Sequence, residues 1–265
     1  MKMQIPSLFL KMSFHLFLTK LLKSRYAYYS IRQNIKSLTR LLTIEQKELI
    51  SFVMELFSDD EFNLHVCKVY ETIDRLDFGQ LAALPELYAI IRALSPQIVI
   101  ETGVASGLSS AFILHALRRN NSGQLYSIDL PPYVISYEDT EFVSLPKGLE
   151  VGWAVKEEDR KGWSLIFGNS LDVLPRLCKK LGKLDIFIHD SRHTYSVMFN
   201  EYKTVWPYLS SSGLLISDDV TRNDAFRVFS ILVGRKPIFL VAPRIFPLWS
   251  GGICDKIAVI GVIRK

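Results

Sequence analysis

Two short apolar runs, residues 184–189 (LDIFIH) and 213–217 (GLLIS), bracket a stretch, TYSVMFNEYKTVWPYL, whose apolar residues recur at helical spacing. Apolar runs this short are long enough only for buried strands, so the segment reads as strand, helix, strand. Two strands joined by a crossover helix lie parallel and emerge at the same edge of the sheet, the edge at which ligands bind in open α/β folds. Each strand ends in acid: Asp190 after the first, Asp218 and Asp219 after the second, with His193 three residues past Asp190. Three clustered carboxylates repel one another strongly unless a cation or a proton joins them.

The same alternation extends through most of the chain. From Ser95 onward, PQIVIET, GQLYSIDL, SLIFGN, KPIFLVA and KIAVIGVI read as further strands. SGLSSAFILHALRRN, SLDVLPRLCKKL and RNDAFRVFSILVG read as helices between them. The expectation is an α/β fold, a Rossmann-like seven-stranded, mostly parallel sheet with helices on both faces. Residues 243–255, with Pro243, Pro247 and Gly251-Gly252, are too few for a crossover helix, so the last strand should run antiparallel. The long connection 131–162 suits either a binding loop or a surface excursion. Before Ser95 the pattern is helical, with Thr43 expected to cap a helix over 43–57, a second helix over 62–75, and a third within residues 79–94 that carries Pro85 near its start. Residues 1–79 are accordingly expected to form a helical extension and residues 80–265 the main domain.

Between the first strand and its helix, VIETGVASGLSS places a turn with Gly103 and Gly107. Glycine there permits a tight turn and close approach of backbone to a ligand at a helix N-terminus. The spacing is not G-x-G-x-x-G, and no G-x-x-x-x-G-K-[ST] occurs, which argues against a P-loop kinase or ATPase. Asp129 ends the second strand, about where an acid accepts hydrogen bonds from ribose hydroxyls. Glu101 precedes the glycines and would repel a pyrophosphate while tolerating a cationic amino-acid moiety. A nucleoside bearing an amino acid and no phosphate, such as S-adenosylmethionine, satisfies both. Glu101 hydrogen-bonded to loop amides is the plainer alternative, and that role is compatible with cofactor binding.

The succession ETGVASG, SIDL, GNS, IHDSRH and SSGLLISDD resembles a class I S-adenosylmethionine-dependent methyltransferase over about residues 80–262. More narrowly it is similar to the metal-dependent macrolide-sugar O-methyltransferases and the cephalosporin-hydroxylase-like group. The resemblance implies that Glu101, Gly103, Ser106 and Gly107 hold the methionine part of the cofactor and that Asp129 holds its ribose. Asn169 and Ser170 would touch the adenine, at a position where Asp is commoner, and Asp190 would lie beside the cofactor. Asp190, Asp218 and Asp219 would be metal ligands, and His193 the general base. Taken singly, each of these acids reads as a helix cap or a solvated surface group; four such residues at one sheet edge favour a site. Oxygen ligands with open positions suit Mg²⁺. A hydroxyl bound there would lose its proton to His193 and attack the methyl carbon of the sulfonium.

Charge is unevenly spread. Residues 1–40 contain eight Lys or Arg and no acid, while the remainder has 24 basic and 27 acidic residues. The slightly acidic body offers no phosphate track, which argues against nucleic-acid substrates. The stretch IPSLFLKMSFHLFLT is too short and too polar to span a bilayer and lacks the pattern of a signal peptide. A basic amphipathic arm allows peripheral membrane contact or packing on a second subunit. Cys67, Cys178 and Cys254 are scattered and odd in number, with no disulfide or metal spacing, as in a reducing compartment. His115, Phe199, Tyr202 and Trp206 read as helix packing, and Trp249 as a candidate for a substrate pocket or for packing. The expected protein is a cytoplasmic, homo-oligomeric enzyme acting on a small hydroxylated substrate. A hydroxylase-like relative of the same fold and a membrane-associated, non-catalytic binding protein are the alternatives.

Overall fold

The computed structural model describes residues 25–72, 81–131, 145–243 and 257–265. Most of the basic arm, Trp249, Cys254 and the middle of the 131–162 connection lie outside them. Helices α1 (Arg25–Leu42), α2 (Gln46–Phe57), α3 (Asp60–Thr72) and α4 (Leu84–Leu94) precede the sheet. The alternating part follows as β1 (Ile98–Thr102), α5 (Leu108–Asn120), β2 (Gln124–Asp129), β3 (Trp163–Phe167), α6 (Ser170–Leu181), β4 (Leu184–His189), α7 (Tyr195–Val205), β5 (Leu209–Ser217), α8 (Ala225–Leu232), β6 (Ile238–Pro243) and β7 (Ile257–Arg264).

The strand order is β3-β2-β1-β4-β5-β7-β6. Strands β1 to β5 pair in parallel, and β7 is antiparallel to both β5 and β6. The short tie between β6 and β7 leaves no other solution than a reversal of direction. Chain order reverses between β1 and β4, so the crevice beyond those two strand ends is the topological switch point at which α/β sheets take ligands. The register sets Thr102 opposite His189, and His189 opposite Ser217, which aligns the ends of β1, β4 and β5.

Hydrophobic burial locks the helical extension onto the sheet. Leu38, Leu49, Leu56 and Phe62 join Tyr88, Ile113, Leu240 and Val262 in one continuous core. A second core on the other face gathers Phe187, Met198, Tyr202, Phe226 and Phe229. Polar ties reinforce the extension. The Asn34 side chain meets edge strand β6 as another strand would: Nδ2 donates to Val241 O (3.1 Å) and Val241 N donates to Asn34 Oδ1 (3.0 Å). The same Nδ2 donates to the buried Glu86 at 2.7 Å. Arg264, the last residue of β7, donates to Leu41 O and Leu42 O at 3.0 and 3.2 Å, satisfying terminal carbonyls of α1.

One local expectation is corrected. Thr43 does not start a helix; it ends α1, with a left-handed φ of 60° and its N–H donating to Thr39 O. Helix α2 begins three residues later with Glu45 as its N-cap and no side-chain cap bond. Leu42 is needed in the core, so α1 keeps its last turn and the chain breaks after it. Cys67 and Cys178 are buried free thiols. No helix among the described residues is long and apolar enough to cross a membrane.

Candidate active site

The turn from β1 to α5 forms one wall of the switch-point crevice. Gly103 has φ +85°, and a side-chain carbon there would meet the backbone of Asp190. Backbone bonds hold the two strand ends together: Gly103 N donates to Ile128 O at 2.9 Å and Asp190 N to Thr102 O at 2.8 Å. Asp129 stiffens the turn. Its Oδ2 accepts from Val104 N and Ala105 N at 3.0 and 2.8 Å, and its Oδ1 from Leu130 N at 2.7 Å. Burial pushes the Asp129 carboxyl upward against these three amides. Oδ2 is thereby saturated, and Oδ1 retains a lone pair for a hydroxyl donor.

Gly107 also has φ +85°, and the space beside it is filled by Gly152, whose Cα would lie 2.7 Å from an added side-chain carbon. The turn over residues 151–154 bonds back to this loop, Gly152 N donating to Ala105 O and Ala154 N to Ser106 O, both at 2.9 Å. Close approach at Gly107 is therefore made by the chain's own backbone, and Ser106 contributes its carbonyl to that pairing. Glu101 is 1% exposed and sits among serines: Ser110 and Ser127 donate to it, the latter at 3.0 Å. Burial, opposed by those hydroxyls, raises its pKa to about 7. Its partners are thus serine hydroxyls and not the loop amides expected.

The opposite wall carries the acids. Ligand atoms of Asp190, His193 and Asp218 all lie within 4.8 Å of one another. His193 Nε2 is 3.7 Å from Asp190 Oδ1. Asp218 is 1% exposed, and its N–H donates to His189 O at 2.9 Å, which ties the ends of β4 and β5. Two carboxylates converging from two strand ends fit a divalent cation, and the imidazole beside them fits a base. Asp219 is not part of the cluster. Its φ is +46° and its Oδ2 lies 3.2 Å from Arg222 Nε, so the reversed backbone turns the second acid of the pair toward the next segment. The expected trio of carboxylates is thus a pair of carboxylates with His193.

At the start of α6, Asn169 is the N-cap, accepting from Leu171 N at 2.9 Å, and it is exposed beside the sheet edge. Ser170 is the first residue of α6. Thr194, and not Asp190, caps α7.

Two residues of this region carry no motif. His189 ends β4 and Glu201 lies on α7; both side chains are 0% exposed and pair at 2.7 Å, Nδ1 to Oε2. Glu201 sits on the apolar stripe Met198–Tyr202–Val205 of α7, all buried. A charged residue on such a stripe, beside a strand ending in His, is the signal that could have found them.

Residues 100–220 match the family model described as a methyltransferase domain. In fold the chain is similar to the O-methyltransferase TomG from Streptomyces achromogenes, involved in tomaymycin synthesis and crystallised in complex with SAM. The two are 15% identical over 78% of this chain and 91% of that one, with a TM-score of 0.51. It is likewise similar to cofactor-bound Rv0187 from MTB, 12% identical over 76% of this chain and 88% of that one, with a TM-score of 0.50. No curated protein matches the sequence.

Proposed function

We propose, from the premise that this chain carries a class I S-adenosylmethionine-dependent methyltransferase domain, that it is a Mg²⁺-dependent O-methyltransferase acting on a hydroxyl of a small molecule such as a sugar or natural product. The observation that carries the reading is the convergence of Asp190, His193 and Asp218 at the sheet edge that also bears the glycine turn.

S-adenosylmethionine would supply a methyl group made electrophilic by the sulfonium. Asp190 and Asp218 would hold a divalent ion whose charge lowers the pKa of an acceptor hydroxyl. The chain's own residues do the rest. Asp129, with a lone pair left on Oδ1, would accept from a ribose hydroxyl, and Asn169 with Ser170 would border the adenine. Gly103 lets the β1 turn and Asp190 touch, which sets donor and acceptor side by side; positioning of this kind supplies much of the acceleration in a two-substrate transfer. His193 stands beside the acids at the mouth of the crevice and takes the proton from the acceptor hydroxyl, a task suited to a side chain whose ordinary pKa is near neutrality.

Calorimetric titration with S-adenosylhomocysteine, followed by transfer of labelled methyl groups to a panel of hydroxylated metabolites with Mg²⁺ or with EDTA, tests the reading. Micromolar binding and EDTA-sensitive transfer are expected. Absence of cofactor binding, or transfer indifferent to EDTA, would overturn the corresponding half.

A further inference from the structure

Glu201 is a carboxylate with no solvent exposure in the middle of α7. An ionised carboxylate in such a place is costly unless it is paired and hydrogen-bonded. Here it collects three partners. Thr102 Oγ1 donates to Oε2 at 2.6 Å, His189 Nδ1 lies 2.7 Å from the same oxygen, and Ser191 Oγ donates to Oε1 at 2.8 Å. Burial pushes the carboxyl up, but His189 and the hydroxyls outweigh it and the net displacement is downward, so the group is held as the anion.

The identity of the partners is the informative part. Thr102 precedes Gly103, and His189 and Ser191 flank Asp190 on either side. Every group that Glu201 holds is adjacent to a candidate site residue, and the three come from the ends of two strands, β1 and β4. The link reaches one step further. The His189 ring stands edge-on to the His193 ring, with centroids 5.4 Å apart and planes at 83°, and edge-on to Tyr202 at 5.6 Å. Tyr202 is fixed in turn by a 2.6 Å hydrogen bond with Ser217. With Nδ1 spent on Glu201 and the ring wedged between two aromatic neighbours, His189 has one orientation.

We propose that Glu201 is a positioning residue of the active site: through Ser191 it fixes the loop that carries Asp190, and through His189 it sets the orientation of the His193 ring. Ligands of a metal or a base are commonly held by such buried outer partners. The inference rests on the methyltransferase reading for its purpose, but the arrangement it describes is a property of the folded chain alone.

The test uses Glu201→Gln, which keeps shape and removes charge, and Ser191→Ala, which removes one bond at the loop and leaves the buried pair intact. Histidine ring ¹⁵N–¹H spectra are recorded on metal-free protein, and Mn²⁺ and S-adenosylhomocysteine binding are measured by calorimetry. In Glu201→Gln the ring signals of both His189 and His193 should move, and Mn²⁺ affinity should fall by about tenfold or more. Ser191→Ala should weaken Mn²⁺ binding while leaving the His189 signals in place. A merely structural Glu201 would lower thermal stability and leave the His193 ring signals and the metal affinity of the folded variant unchanged; that result overturns the proposal. The spectra need no ion, so they decide it even if the wild-type protein takes up no Mn²⁺, an outcome that would count against the metal reading instead.

Discussion

A side-chain carbon on Gly103 would lie 2.0 Å from the backbone oxygen of Asp190. The two residues are 87 positions apart, and their contact closes the floor of the crevice between β1 and β4. Because the obstacle is backbone on both sides, no rotamer change can relieve it, and the positive φ adds strain of its own. Gly103→Ala should destabilise the protein by at least about 2 kcal/mol. It should also abolish S-adenosylhomocysteine binding in whatever fraction still folds. Urea unfolding and calorimetry read the two effects; an unchanged midpoint would mean that the strand ends are not in contact.

Asp218 and Asp219 are neighbours with different surroundings, one buried in the cluster and one paired with Arg222. Asp218→Asn should reduce Mn²⁺ affinity by about tenfold or more, as loss of a direct ligand does, whereas Asp219→Asn should leave it within about threefold. His193→Ala should lower turnover by about a hundredfold with cofactor affinity preserved, the usual size of a lost proton-transfer group. Equal losses at Asp218 and Asp219 would restore the three-carboxylate site.

Two buried groups pull the stability profile in opposite directions between pH 4 and 7. Glu101, raised to about 7, keeps its proton in the folded state while the unfolded chain releases it near 4.5. Its contribution therefore weakens stability as pH rises through that window, by about 3 kcal/mol at the limit. His115 is the opposite case. Burial, resisted by Asp59 at 3.2 Å, lowers it to about 4, and it stacks on Phe62 with ring centroids 4.0 Å apart. It stays neutral in the fold while the unfolded imidazole protonates below 6.5, so stability is lost as pH falls through 6.5 toward 4. Unfolding free energies of Glu101→Gln across this range should lose the first slope, and those of His115→Gln the second. Parallel profiles for wild type and variant would contradict the assignment in each case.

Asn34 serves three partners at once, Glu86 and both backbone groups of Val241. Asn34→Ala leaves a buried carboxyl and an edge-strand N–H without their partner. At about 1–3 kcal/mol for each group left unsatisfied, the loss should be about 2–6 kcal/mol. Chemical denaturation of the variant measures it; a loss below about 0.5 kcal/mol would show that water replaces the amide.

Most of the sheet is legible in the sequence because each strand is a short apolar run between turn residues, and a run of that length buried on both faces admits one reading. The antiparallel final strand follows from chain length alone. What escapes is conformation that depends on partners distant in sequence. Thr43 has the chemistry of a helix cap, yet the demand for Leu42 in the core carries α1 one residue too far for it to serve. Asp218 and Asp219 are equivalent in a one-letter string, and only the positive φ of the second separates them. Gly107 suits a ligand or a backbone equally, and Gly152, 45 residues on, decides between them. Glu201 is readable only as part of a helix, because its three partners are identified by register and crossover, not by spacing.

The bond from Arg264 to the carbonyls of Leu41 and Leu42 joins groups more than 220 positions apart. The ribosome therefore adds more than two hundred residues between the two partners, and until β7 arrives the terminal carbonyls of α1 keep water in place of the guanidinium.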